Sequence, residues 1–388
     1  MDNKRACRLG IVQRVLVPYR VPFFLKLAGL QDLDASLFAG QPMVDETIRT
    51  VTAADGLECF TTTNRYWPRR TGTLIWQQDL VGWLEQVDPE VLLVEANPRM
   101  VSHWRAIRWM HSRGRPVVGW GLGELPRTGH SCLITLRQRG AHRLFSAFDG
   151  IVAYSTKARR DYLAAGVPSD SIFVAHNAID DSESEQYIQS LSGTNWRPIW
   201  RKEMQLDPRL PIVLFVGRLT QQKRVDLLIR ACSPLHQRCQ ILVVGEGSIR
   251  SELEQLARAF PTRVRFAGHQ TGESLACSFL GSDVFVLPAA GGLALHQAMS
   301  YGLPVIASFG DGTEADLVRD GLNGFIFEAD RADSLTEKLT FLLSDPDRAR
   351  EMGQASLSIV RDEINIERMV ASVKRAIDTV VGRGEHSL

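Results

Sequence analysis

The sequence predicts an α/β protein made of two doubly wound domains that face each other across a deep cleft. Three observations lead to this. The chain has 388 residues, more than one hydrophobic core usually supports, so two domains of roughly 170 to 200 residues are expected. Short apolar, β-branched runs alternate with helix-period segments through most of the length, as in parallel sheets wrapped by helices. That alternation breaks once, at the polar, Gly- and Pro-containing stretch DSESEQYIQSLSGTNWRPIWRKEMQLDPRL. The reading is therefore a first domain over residues 1–180, a linker over 181–210, a second domain over 211–364 and a closing helical segment over 365–388.

In the first half, strands are expected at 9–17, 91–94, 116–119, 150–154 and 172–174. A helix is expected over 101–113, where Trp104, Ile107 and Met110 fall on one face. The second half predicts strands at 212–216, 241–244, 264–266, 284–287 and 305–307. Helices are predicted between them at 225–231, 248–260, 272–280 and 293–301, with two more over 330–360 and 365–381. In doubly wound folds ligands sit outside the carboxyl ends of the strands, so functional residues are sought in the loops that follow strands.

Composition excludes several classes. Hydrophobic residues are 44% and charged residues 23%, ordinary values for a globular protein. The six cysteines are scattered, with no paired spacing, so neither a zinc site nor a disulfide framework is expected, and no metal is assigned. The opening MDNKRACRLGIVQRVLVPYR lacks the apolar core of a signal peptide, and the longest apolar runs are strand-sized. A cytoplasmic protein is expected. Net charge is +1, but residues 1–180 hold 22 Lys and Arg against 17 Asp and Glu. This basic first half is read either as a solvated arginine face or as a surface toward anionic lipid headgroups, which would make the protein peripheral to the inner face of the membrane. No nucleic-acid-binding module accompanies it.

The candidate residues fall in four stretches of the second half and three of the first. FVGRLTQQKRVD leaves a strand through Gly217 into Arg218, with Lys223 five residues later at the mouth of a helix. Two cations beside a helix N-terminus suit a diphosphate. LPAAGGLALHQAMSYGLPVIAS places Gly291 and Gly292 before a helix with no carboxylate in the stretch, which suits a turn that binds anions through backbone N–H groups, since a Glu beside it would partly oppose the charge. VVGEGSIRSELEQL is not a dinucleotide fingerprint, because Arg250 stands where the third glycine would be. SFGDGTEADLVRDGLNGFIFEAD puts Thr313 and Glu314 at another strand-to-helix turn. In the first half, Arg14, Pro18, Tyr19 and Arg20 lie at the end of the first strand. Glu95, Asn97, Arg99 and His103 follow another, and GWGLGELPRTGH carries Glu124 and His130. Of these, Arg14, Tyr19, His103, Glu124 and His130 are the candidates for holding or activating an acceptor.

Taken together, GRLTQQK, the GEG turn, the PAAGGLALHQAMSYGLPVIAS block and GTEADLVRDGLNGFIF resemble glycosyltransferase family 4, a large retaining family of GT-B fold. YRVPFF, VEANPR and FVAHNAID extend the resemblance weakly into the first half. It implies sugar transfer from a nucleotide-sugar donor to a glycan or lipid-linked acceptor, with retained anomeric configuration, without metal and with no cofactor beyond the donor. By motif, Arg218 and Lys223 would act catalytically on the donor diphosphate. Gly217, Gly291, Gly292, Leu293, Gln297 and Glu314 would complete the donor site. The closing helix would cross back to the first domain.

The resemblance is imperfect at informative positions. Members commonly carry two Glu separated by seven residues; here those positions are Ala289 and Gln297, and the preceding loop is about three residues shorter. Gln297 retains hydrogen-bonding capacity for a ribose, whereas Ala289 replaces a carboxylate that contacts the transferred sugar. Leu122 stands where a His is frequent. The expectation is a glycosyltransferase of surface polysaccharide or glycolipid assembly. Its rivals are a catalytically silent nucleotide-sugar-binding partner subunit and a sugar-nucleotide epimerase.

Overall fold

The structure is a computed structural model that describes residues 5–43, 46, 48–68, 73–123, 132–289 and 291–385. The chain divides into two compact units, residues 1–179 with 366–388, and residues 180–365.

Unit 1 runs β1 (Cys7–Val15), α1 (Val21–Ala28), β2 (Leu33–Gly40), β3 (Glu58–Thr61), β4 (Asn64–Trp67), β5 (Leu74–Gln77), α2 (Leu80–Val87), β6 (Val91–Glu95), α3 (His103–His111), β7 (Val117–Gly121), α4 (Cys132–Phe145), β8 (Gly150–Ala153), α5 (Thr156–Ala164) and β9 (Ile172–Val174). Its main sheet has the order β3-β2-β1-β6-β7-β8-β9, and every recorded pairing in it is parallel. β4 and β5 form a separate antiparallel hairpin. Successive side chains of a strand point to opposite faces, and β6 shows the consequence. Val91 and Leu93 join one core, while Leu92 and Val94 join the other. A strand buried on both faces reads as a continuous apolar run, which is why β6 was legible as sequence. β2 was not predicted, because Asp34 and Ser36 interrupt LDASLFAG.

Unit 2 runs α6 (Ser182–Leu191), α7 (Trp196–Glu203), β10 (Ile212–Val216), α8 (Val225–Cys232), β11 (Gln240–Val244), α9 (Arg250–Arg258), β12 (Val264–Gly268), α10 (Gly272–Leu280), β13 (Val284–Leu287), α11 (Gly292–Ser300), β14 (Val305–Ser308), α12 (Glu314–Leu317), β15 (Gly324–Phe327), α13 (Ala332–Ser344) and α14 (Pro346–Asp362). Its parallel sheet has the order β12-β11-β10-β13-β14-β15. Val213 and Phe215 of β10 pack to one face, Ile212 and Leu214 to the other.

Residues 181–210, read from composition as a linker, hold two helices instead. Trp200 of α7 is 6% exposed in a core shared with Ile212, Leu214 and Phe279, and Arg197 pairs with Asp283 at 2.9 Å. One buried tryptophan recovers apolar area that the polar average of the stretch conceals.

The last helix, α15 (Ile366–Glu385), belongs to unit 1. Ile366, Met369, Val370, Val373, Ala376, Ile377 and Val380 make an apolar stripe at helical spacing, packed with Phe23, Phe24 and Trp120.

In each sheet the connections reverse direction once, between β1 and β6 in unit 1 and between β10 and β13 in unit 2. The loops leaving those adjacent strands splay apart and open a crevice at their carboxyl ends.

Candidate functional site

In unit 2 the crevice receives the loops that follow β10 and β13. β10 ends at Val216, and Leu219, fully buried, pins the following loop. Gly217 is half-buried and Arg218 is left exposed. A short 3-10 turn, Gln221–Lys223, then brings the half-buried Lys223 to the start of α8. Burial, and then the charge of Arg218, push the Lys223 ammonium below its ordinary 10.5, against an opposing pull from Asp311. Two cations close enough to repel make a ready receptor for an anion.

The β13 loop answers this arrangement. Gly291 has φ 155° and ψ 51° and is the N-cap of α11 with no side-chain cap. A Cβ built there would stand 2.9 Å from Lys223 Nζ. The helix has no acidic residue in its first turn, so its open amides and positive dipole end lie next to the lysine. Gly292 is required by close approach: a Cβ there would lie 1.9 Å from Thr313 Oγ1. Leu293 and Gln297 are half-buried, one turn apart on the same side of α11.

The β14 loop closes the arrangement. Glu314, 2% exposed, turns its carboxylate onto its own loop and accepts from Gly310 N at 2.7 Å and from Gly312 N at 3.0 Å. Its role in this geometry is to hold the loop. Asp311 Oδ1 accepts from Thr313 N at 3.0 Å and from Thr313 Oγ1 at 2.5 Å. Asp311 was not singled out in the sequence. The only signal was a carboxylate between two glycines, in a loop neighbouring that of Gly291.

The GEG turn is structural. Cβ atoms on Gly245 and Gly247 would meet Gly217 O at 1.9 Å and Leu219 O at 2.2 Å. It therefore buttresses the backbone that presents Arg218. Arg250 is held by Glu254 at 2.9 Å and by Glu246.

In unit 1 the equivalent crevice joins residues far apart in sequence. Arg14 N donates to Glu95 Oε1 at 2.8 Å, linking the ends of β1 and β6, and the Arg14 guanidinium pairs with Glu46 at 2.8 Å. Burial raises the Glu95 carboxyl, opposed by the Arg14 N–H and by the charges of Arg14 and Arg20. Arg20, 8% exposed, lies over Trp120 at 5.1 Å and Tyr154 at 5.2 Å, while Tyr19 stays 50% exposed. His103 is fully buried in the first turn of α3, with Nδ1 3.1 Å from Glu95 O. Burial lowers its pKa to about 4, so it is neutral. Glu124 and His130 lie outside the described residues. The structure thus gathers Arg14 and Glu95 with Arg20, and encloses His103.

Comparison with known proteins agrees with the motifs. Residues 197–358 match the family described as glycosyl transferases group 1. The sulfoquinovosyl transferase of Arabidopsis thaliana is 29% identical over 243 residues, covering 60% of this chain and 45% of that protein. A GDP-mannose-dependent α-mannosyltransferase of Mycolicibacterium smegmatis is 26% identical over 316 residues, covering 79% and 78%. The chain spans about half the length of curated relatives such as those from Arabidopsis and Rhodococcus opacus. Among solved structures, Anabaena HepE in complex with UDP-glucose superposes with a TM-score of 0.72 at 15% identity, covering 96% of this chain and 99% of that one. The chain has the GT-B fold.

Proposed function

We propose that the protein transfers a sugar from a nucleotide-sugar donor to an acceptor, with retained configuration and without a metal ion, in the assembly of a surface polysaccharide or glycolipid. The observation that carries this reading is the convergence of Arg218, Lys223 and the Gly291 turn at the switch point of unit 2. Bond cleavage leaves charge on the nucleotide diphosphate. Fixed cations and helix amides aimed at that charge stabilise the transition state more than the ground state. Arg218 and Lys223 supply positive charge where other enzymes use a metal ion. The relatives with glycosyltransferase names, and the UDP and UDP-glucose complexes of HepE, support the donor class.

The acceptor, a sugar, lipid-linked sugar or other glycan, is assigned to unit 1, near Tyr19 and the Arg14–Glu95 crevice. The basic excess of the first half supports contact with an anionic membrane face from the cytoplasmic side. Among the described residues no helix is long and apolar enough to cross a membrane. The partner-subunit reading is favoured by one observation, the absence of a carboxylate at Ala289. Turnover by the isolated chain eliminates it.

The test is thermal stabilisation by a panel of UDP-, GDP-, ADP- and dTDP-sugars, with Arg218→Ala beside the wild type. A ligand at 100 times its Kd adds about 2.7 kcal/mol of stability. One donor is expected to stabilise the wild type and to lose that effect in the variant, whose turnover falls by about 10²- to 10³-fold. Full activity in Arg218→Ala would remove the diphosphate clamp from the mechanism.

A further inference from the structure

Ala289 leaves the β13 loop without a carboxylate, yet a carboxylate reaches the same crevice from the neighbouring loop. Asp311 is tied there on one side. Its Oδ1 accepts from Thr313 N and Thr313 Oγ1, and Thr313 Oγ1 fills the space next to Gly292 that a side chain would need. On the other side its charge is felt by Lys223, whose ammonium stands against Gly291. The side chain is half-buried, and Oδ2 makes no hydrogen bond among the described residues.

The turn explains Oδ1 but not the charge. An Asn at 311 would accept from Thr313 N equally well. A negative charge felt by Lys223 also weakens the attraction of that lysine for a diphosphate. Beyond keeping the Lys223 ammonium charged, an ionised group in that position suits a ligand that donates hydrogen bonds to it. The phosphates of a donor are acceptors; the hydroxyls of its sugar are donors, and a carboxylate takes such bonds more strongly than a neutral oxygen does.

We propose that Asp311 is the carboxylate that holds the sugar of the donor, its Oδ2 accepting from sugar hydroxyls in place of the acid missing at 289. This rests on the nucleotide-sugar reading above, which the clamp supports independently. It assigns opposite effects to one side chain, with the sugar held and the diphosphate opposed.

The experiment compares affinities by calorimetry for the full-length wild type and Asp311→Asn, using UDP, GDP, ADP and dTDP and the corresponding nucleotide-glucose or nucleotide-mannose. For the nucleotide that the wild type binds, Asp311→Asn is expected to bind the bare diphosphate as tightly or more tightly. The same variant is expected to bind the nucleotide-sugar at least tenfold more weakly. An unchanged ratio between the two ligands overturns the assignment, and so does equal weakening of both, which would make Asp311 a purely structural part of the loop. If Asp311→Asn does not fold, Asp311→Ser keeps an acceptor for Thr313 and is read the same way. A wild type that binds none of the ligands overturns the donor reading itself, and this inference with it.

Discussion

Lys223 and Gly291 lie 68 positions apart in sequence, yet the lysine ammonium occupies the space beside the glycine where a side chain would begin, 2.9 Å from a Cβ built there. The glycine is thus both a backbone requirement and a clearance for the cation. A side chain there would have to push the ammonium aside.

Replacing Gly291 with Ala therefore has two expected effects. At φ 155° an L-residue is strained, so stability falls by about 1 kcal/mol or more. The new methyl also displaces the lysine. The melting temperature of the apoprotein is expected to drop by a few degrees, and nucleotide-diphosphate affinity by more than the stability loss accounts for. A variant that melts lower but binds normally would separate Gly291 from the site.

Lys223 sets a pH dependence. Burial and Arg218 place its pKa below 10.5 in the free protein, whereas a bound diphosphate favours the charged form. Binding therefore takes up a proton once pH exceeds the depressed value, and affinity declines from there upward, at lower pH than for an ordinary lysine. In the free protein the sign is opposite. A depressed lysine destabilises the fold while it is charged, and stability recovers as pH rises from the folded toward the unfolded pKa. Calorimetry in buffers of different ionisation enthalpy reads the proton uptake, and Lys223→Met is expected to abolish it.

Two buried histidines set the acid limit. His103 in unit 1 and His296 in unit 2 are both fully buried with pKa values lowered to about 4 by desolvation. His296 Nε2 lies 2.8 Å from Ile364 O, so its other ring nitrogen is the one that would have to take the proton. A folded pKa below the unfolded 6.5 means that the unfolded chain binds protons first. Stability is complete above pH 6.5 and is lost as pH falls toward about 4, by about 3 kcal/mol for each histidine. Urea unfolding at pH 7.5 and pH 5 measures the loss, and His296→Gln is expected to reduce it. A pH-independent midpoint would contradict the assignment.

The sequence by itself determined the parts of this protein that depend on neighbours along the chain. A strand buried on both faces must be continuously apolar, so β6, β10, β13 and β14 were legible within a residue or two, and with them the parallel α/β class. The positions of Gly217, Arg218 and Lys223 were legible because they lie just past a strand and before a helix. Less was visible where composition averages over a few decisive side chains. Trp200 anchors two helices inside a stretch that reads as linker, and polar residues in β2 hid a central strand.

Only the tertiary structure decided which loops share a crevice. Crossover connections place β1 beside β6, and β10 beside β13, so that Arg14 meets Glu95 and Lys223 meets Gly291. It buried His103, turned Glu314 back onto its own loop, and brought the charge of Asp311 to bear on Lys223. The pairings of Arg14 with Glu95 and of Lys223 with Gly291 have no sequence spacing. Each follows from parallel strands being joined over long distances and packed side by side, which brings the loops at their ends together wherever the strand order reverses.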